Sequence, residues 1–214
     1  MKGIIIIGLS GNYCAGKNYI ADLLKERSFP VLDVDKLGHE VIKTEKEGLV
    51  KRFGEDILGP DGLIDRKRLG AKVFGKPKEL AALEEIIHPA VNRETLSWIN
   101  NQKVKVCFIN AALLHRSSAY ELLDAIILVE APFPVRLCRA KRRDHLPLVL
   151  ILKRFWSQRK FYSQLLKKKT DIYRVSNPSG CVNSGLFTGR ETSLRNKLEK
   201  RLDEILSLVG ISRM

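Results

Sequence analysis

Four consecutive isoleucines, Ile4 to Ile7, run directly into Gly8-Leu9-Ser10-Gly11-Asn12-Tyr13-Cys14-Ala15-Gly16-Lys17-Asn18. A short β-branched run closed by glycine reads as a buried parallel strand. Lys17–Arg27 then reads as a helix with Ile20, Leu23 and Leu24 on one face. Strand, tight loop and helix in that order require a sheet with crossover connections. Gly11, four residues, then Gly16-Lys17 is the spacing of a loop whose backbone amides cradle phosphate at a helix N-terminus. Gly11, Asn12, Tyr13, Cys14, Ala15, Gly16, Lys17 and Asn18 are therefore the expected nucleotide-phosphate contacts, with Lys17 reaching the β- and γ-phosphates. Position 18 departs from the pattern, which has a Ser or Thr hydroxyl there to ligate Mg²⁺. The side-chain oxygen of Asn18 can also accept a metal or a bridging water. Asn12 and Cys14 stand where glycine would take positive φ more freely; Asn tolerates that conformation better than Cys.

Further along, Val31-Leu32 leads through Asp33-Val34-Asp35 into a helix over Lys36–Ile42. Gly59-Pro60-Asp61-Gly62 marks a turn. Leu80–Ile87 and Val91–Ile99 read as two helices parted at His88-Pro89, and Val104–Ile109 and Ala125–Val129 as strands. Pro132–Arg143 is a basic helix and Leu148–Leu166 a second one; Ile172–Val175 is a last strand before a charged helix, Ser193–Leu208. Alternating strands and helices predict a mostly parallel α/β sheet. Residues from about 40 to 100 lack a convincing strand and read as a helical insertion.

The 214 residues carry a formal net charge of +14, which calls for an anionic partner. The charge is concentrated. Between Arg136 and Lys169 stand twelve basic residues and a single acid, Asp144. Arg136, Arg139 and Arg143 recur at helical spacing, so they share a face. The scarcity of acids argues against their serving simple ion pairs. Trp156, Phe161 and Tyr162, interleaved with this charge, are expected to pack the basic helix on the core; the alternative is stacking on single-stranded nucleic acid. The cysteines at 14, 107, 138 and 181 lack the close pairing of a zinc site and read as free thiols of a reducing cytoplasm. No apolar run reaches the length of a membrane span, and the N-terminal residues read as a first strand and not as a signal peptide.

Several segments, in order, resemble the dephospho-coenzyme A kinases. These are Gly8–Gly11 with Gly16-Lys17; Phe29–Lys36 with its paired aspartates; Gly62–Leu69 with Val73-Phe74; and Leu83-Glu84-Glu85-Ile86-Ile87-His88-Pro89, the most specific match. Arg139, Arg143-Asp144, Arg154 and Gln158 follow the spacing of that family's basic lid, and Asp171 with Asn177-Pro178-Ser179-Gly180 its adenine-side turn. Ala112-Leu113-Leu114-His115-Arg116 departs from the family, lacking its proline and acid. The resemblance implies a P-loop kinase fold: a parallel five-stranded sheet flanked by helices, with a helical substrate-binding insertion and a basic lid. The implied division is a core of about 1–40, 103–135 and 170–214, an insertion of about 41–102 and a lid of about 136–169. It implies transfer of the ATP γ-phosphoryl to the ribose 3′-hydroxyl of dephospho-coenzyme A in the last step of coenzyme A synthesis, with Mg²⁺, in the cytoplasm, without nucleic-acid or membrane partners.

On that reading Asp33 accepts or orients the attacking hydroxyl, although Asp also favours helix N-caps. Asp35 is expected to cap the following helix or to touch the metal through water, which makes Asn18 and Asp35 the metal candidates. Lys17 is expected to face solvent at the helix start. Asn177 and Gly180 would hold the adenine end, His88 and Arg154 the acceptor, and Arg139 and Arg143 the transferring phosphoryl. A nucleotide-binding protein with weakened turnover and another small-molecule P-loop kinase remain as alternatives.

Overall fold

The computed structural model describes residues 3–158, 165, 170–178 and 188–211. Phe161, Tyr162, Lys167, Lys168, Lys169, Ser179, Gly180 and Cys181 lie outside them. Five strands, β1 (Ile5–Gly11), β2 (Val31–Asp33), β3 (Val106–Asn110), β4 (Ala125–Glu130) and β5 (Asp171–Ser176), form one sheet in the order β2-β3-β1-β4-β5. Every pairing is parallel, with Ile7 level with Phe108 on one side and with Ala125 on the other. β1 is central and its neighbours come from later in the chain, so the connection reverses direction at the end of β1. In such sheets the ligand crevice opens at that point, beyond the strands' C-terminal ends.

Continuous apolar strands require cover on both faces. On one face α1 (Lys17–Glu26) and the C-terminal helix α8 (Thr188–Leu208) pack Ile20, Leu24, Leu202 and Ile205 against Ile7, Leu9 and Phe108. On the other, Ile6, Cys107, Ile109 and Ile126 meet Ile99, Leu114, Tyr120 and Leu165. A third core lies among α2 (Val34–Thr44), α3 (Lys46–Phe53), α4 (Arg66–Val73) and α5 (Pro77–Asn100), where Val41, Leu49, Phe53, Leu69 and Ile87 are buried together. α3 and α4 are short, and Gly48 and Gly70 interrupt their apolar pattern. The clearest local signal for α4 is Asp65, whose carboxylate accepts from the amides of Lys67 and Arg68 at 2.8 and 3.3 Å.

The expected break at His88-Pro89 is absent. α5 runs through Pro89 without interruption. Proline removes one i→i−4 bond and disfavours helix in the residue before it, but Ile87, Ala90 and Val91, buried on either side, hold the helix together by packing. The remaining helices are α6 (Phe133–Asp144) and α7 (Leu148–Ser157). α7 buries Ile151 and turns Leu148, Val149, Leu152 and Trp156 outward. Trp156 is 69% exposed, so it does not pack α7 on the core as the sequence suggested.

Candidate active site

The loop between β1 and α1 is tight for identifiable reasons. A Cβ on Gly11 would stand 2.6 Å from the Val129 carbonyl oxygen of β4, so only glycine lets the strands close there. Gly16 turns at φ +95° directly before α1, and a Cβ there would meet the Asn177 amide at 2.2 Å. The residue that bears left-handed strain is Cys14, at φ 59°; Asn12 does not need positive φ, contrary to expectation. Burial, more than any charge nearby, pushes the Cys14 thiol above its ordinary range, with Arg143 opposing. The thiol is therefore harder to ionise than that of a free cysteine.

Lys17 points inward and not to solvent. Its side chain is 15% exposed, and its ammonium donates to Asp35 Oδ2 at 2.9 Å and to Asn110 Oδ1 at 3.1 Å. Asn110 ends β3, is 1% exposed, and also donates to Asn18 Oδ1 at 3.2 Å and to Asp33 Oδ2 at 3.5 Å. One buried amide thus gathers the loop lysine, the residue after it and the β2 aspartate. Sequence reading missed it. Its signal was a polar residue ending an otherwise apolar strand, Val106-Cys107-Phe108-Ile109-Asn110.

The two aspartates exchange their expected jobs in part. Asp33 caps α2, accepting from the Lys36 amide at 3.1 Å through Oδ1. Its other oxygen faces Asn110. Asp35 lies in the first turn of α2 and takes Lys17 and, at 3.4 Å, the Ala112 amide. Behind this pair opens a cleft of about 350 Å³ between α2, α5 and the chain after β3, lined by Asp35, His39, Glu84, His88, Asn92 and Ala112. His88 is thereby brought to the same cleft as Asp35. Arg66 meets His39 at 2.9 Å nearby.

Above the loop, α6 and α7 converge. Arg139 donates to the carbonyls of Cys14 and Ala15 at 3.1 and 2.9 Å and to that of Asn177 at 3.0 Å. The Asn177 amide itself donates to Ala15 O at 3.3 Å. Both residues brace the loop's outer side. Arg143 and Arg154 each lie 2.7 Å from an oxygen of Asp144. The scarcity of acids was thus a poor guide: the one acid of the segment serves two arginines. Its carboxyl is held down at about 2, chiefly by the Arg143 hydrogen bond, with that of Tyr13 and the charges of Arg143 and Arg154 adding to it. Arg136 keeps the face its spacing suggested: it lines a hollow with Asn12 of the loop and lies over Phe155 at 5.1 Å.

Among the described residues there is no cluster of three or more His, Cys, Asp or Glu that could hold a metal by itself. Asn18, Asp33 and Asp35 supply hard oxygen donors beside the phosphate loop. Such a set suits Mg²⁺, which is held by one or two side chains with substrate phosphates and waters completing its shell. Cys14, Cys107 and Cys138 are free thiols. No helix among the described residues is long and apolar enough to cross a membrane.

The family model for dephospho-CoA kinase, CoaE, matches residues 5–176. A dephospho-CoA kinase of Wolinella succinogenes is 37% identical over 155 residues, covering 71% of this chain and 77% of the relative. That of Treponema pallidum is 29% identical over 204 residues, 91% and 92% of the two chains. Among solved structures, TT1252 from Thermus thermophilus superposes with a TM-score of 0.74 at 30% identity, covering 95% of this chain and 98% of that one. The dephospho-CoA kinase from Campylobacter jejuni, at 24% identity and a TM-score of 0.62, shares the fold over 94% and 96% of the two chains.

Proposed function

Because the chain belongs to the dephospho-CoA kinase family, we propose that its phosphoryl transfer is carried out where Lys17, Asp33 and Asp35 meet at the mouth of the α2–α5 cleft. The observation that carries this reading is the Asn110 amide, which holds Lys17 and faces Asp33 at the edge of a cleft that also contains His88. The amides from Cys14 to Asn18 and the start of α1 bind the ATP phosphates. Lys17 exchanges Asp35 for phosphate oxygen when nucleotide binds. A phosphoryl donor and an acceptor hydroxyl then meet beyond the ends of β1 and β3, in a reaction governed by positioning and charge.

Asp33 is suited to orient the 3′-hydroxyl of the acceptor and take its proton, because its Oδ1 is fixed by the helix cap while Oδ2 stays toward the loop. His88 and Arg154 contact the acceptor. The helices of 41–102 enclose its coenzyme end, α6 and α7 act as the lid, and the chain at Asn177 flanks the adenine. Arg139 keeps the loop shaped while lending it charge, and Arg143 approaches the phosphoryl from the lid. Mg²⁺, held by Asn18 and Asp35 with the phosphates, would supply neutralisation of charge on the nucleotide. Phosphoryl donor, acceptor and the free thiols of Cys14, Cys107 and Cys138 all suit a cytoplasmic enzyme.

Steady-state kinetics on His88→Ala test the acceptor assignment. KM for dephospho-coenzyme A should rise roughly tenfold, as for a lost buried hydrogen bond, with KM for ATP unchanged. A rise in KM for ATP alone would put the nucleotide, not the acceptor, against α5.

A further inference from the structure

The loop residue with the most contacts to α6 and α7 has a side chain that phosphate binding does not require. The Tyr13 hydroxyl donates to Asp144 Oδ2. Its ring carries Arg143 at 5.2 Å and Arg154 at 5.9 Å, and meets the edge of Phe155 at 5.0 Å. Arg154 also donates to the Tyr13 oxygen at 3.4 Å. The Tyr13 amide donates to Gln158 Oε1 at 2.7 Å, which fixes the main chain next to strained Cys14.

We propose that Tyr13 is a positioning residue that fastens the lid to the phosphate loop and so sets Arg143 over the transferring phosphoryl and Arg154 beside the acceptor. The inference rests on the assignment of the loop and lid given above. Two guanidiniums and one carboxylate leave a net charge of +1 above the loop. Asp144 alone would hold the arginines to one another; Arg139 and Gln158 also tie α6 and the end of α7 to the loop, but neither bond reaches the Arg143 and Arg154 guanidiniums. The Tyr13 hydroxyl ties that carboxylate to the loop, and the ring gives both guanidiniums a flat surface to rest on. Reactive alignment falls off steeply with displacement, so the hydroxyl should register in kcat more than in ATP binding.

The test is a double-mutant cycle with Tyr13→Phe and Asp144→Asn, measured with ATP, Mg²⁺ and dephospho-coenzyme A, alongside thermal unfolding of each variant. Tyr13→Phe keeps the ring and removes only the hydroxyl. It should lower kcat roughly tenfold, the scale of a small misplacement, with KM for ATP and the melting temperature nearly unmoved. In the Asp144→Asn background the same change should cost little more, since coupled groups are not additive. Normal kcat in Tyr13→Phe, or losses that multiply in full, would overturn the proposal. So would a loss expressed only in KM for ATP. Lys17→Ala in the same series reports on the loop itself: wild-type turnover there would remove the loop assignment and the proposal with it.

Discussion

The Lys17 ammonium lies 2.9 Å from Asp35 Oδ2, a lysine of the phosphate loop paired with a carboxylate two residues beyond the end of β2. The pair joins the loop before α1 to the first turn of α2. Asp35 remains 48% exposed, so the bond is one that nucleotide can displace.

Lys17→Ala should therefore abolish turnover while leaving the fold intact, at a cost of about 1–3 kcal/mol because the buried Asn110 side-chain carbonyl loses its donor. Circular dichroism and a coupled ADP assay on the same preparation check both halves of the expectation. Near-normal activity would remove the phosphate-loop assignment.

Asp33→Asn separates charge from capping. Asparagine caps a helix about as well as aspartate, so α2 should stay anchored, but the proton acceptor is lost. kcat should fall roughly 10²-fold or more, the scale of a positioned general base, at unchanged ATP affinity. Failure of ATP binding would instead place Asp33 on the metal or the nucleotide.

Cys14 offers a test of loop strain. At φ 59° a side chain is costly, by about 1–3 kcal/mol for residues in such conformations, and glycine returns part of the gain through its freer unfolded state. Cys14→Gly should stabilise the protein by about 1 kcal/mol, and Cys14→Val should destabilise it, both read from denaturant unfolding. The opposite order would mean that the thiol's packing outweighs its backbone cost.

Acid should undo the lid contacts. The folded value of Asp144, about 2, lies below that of a free aspartate, so its contribution is complete above the unfolded value, near 3.9. It fades as pH falls from about 4 through about 2. Other carboxylates titrate in the same window, so the informative quantity is the difference in urea stability between wild type and Asp144→Asn. That difference should shrink as the pH drops. A difference constant from pH 6 to 2 would show that the arginines do not depend on the Asp144 charge.

What could be read from the sequence was what is local. Gly11, Gly16 and Lys17 lie within one turn of chain, and the spacing that identifies them is the spacing that shapes the loop. β1, β3 and β4 were legible because each is a short apolar run buried on both faces, and the edge strands β2 and β5 from the shorter runs Val31-Leu32 and Ile172–Val175. Asn110 was not legible, because its partners Lys17, Asn18 and Asp33 are 77 to 93 residues away and nothing in its own neighbourhood requires an amide. Pro89 was misread for the converse reason: a strong local signal was overridden by packing around Ile87 and Val91. Asp144 was noted as the lone acid of its segment, but only the approach of α6 to α7 places it between two arginines and a tyrosine.

The substitution at position 18 bears on the metal. Asn18 Oδ1 accepts from Asn110 at 3.2 Å, so its oxygen is already held beside Lys17. Mg²⁺ demands near-octahedral geometry at short range, which a serine hydroxyl meets more readily than a longer amide. Asn18→Ser should lower the Mg²⁺ concentration for half-maximal activity, and Mn²⁺ should partly replace Mg²⁺ in the wild type. Superimposable Mg²⁺ titrations would show that the amide already serves or that position 18 does not meet the metal.

The most direct measurement is ADP release from ATP and Mg²⁺ across a panel of acceptors, with the phosphorylated product located by NMR. Release should depend on dephospho-coenzyme A, exceed that with nucleosides or nucleoside monophosphates, and yield a 3′-phosphorylated ribose. ADP release indifferent to the acceptor, or phosphate carried at another position, would contradict the account of Asp33, His88 and the cleft between them.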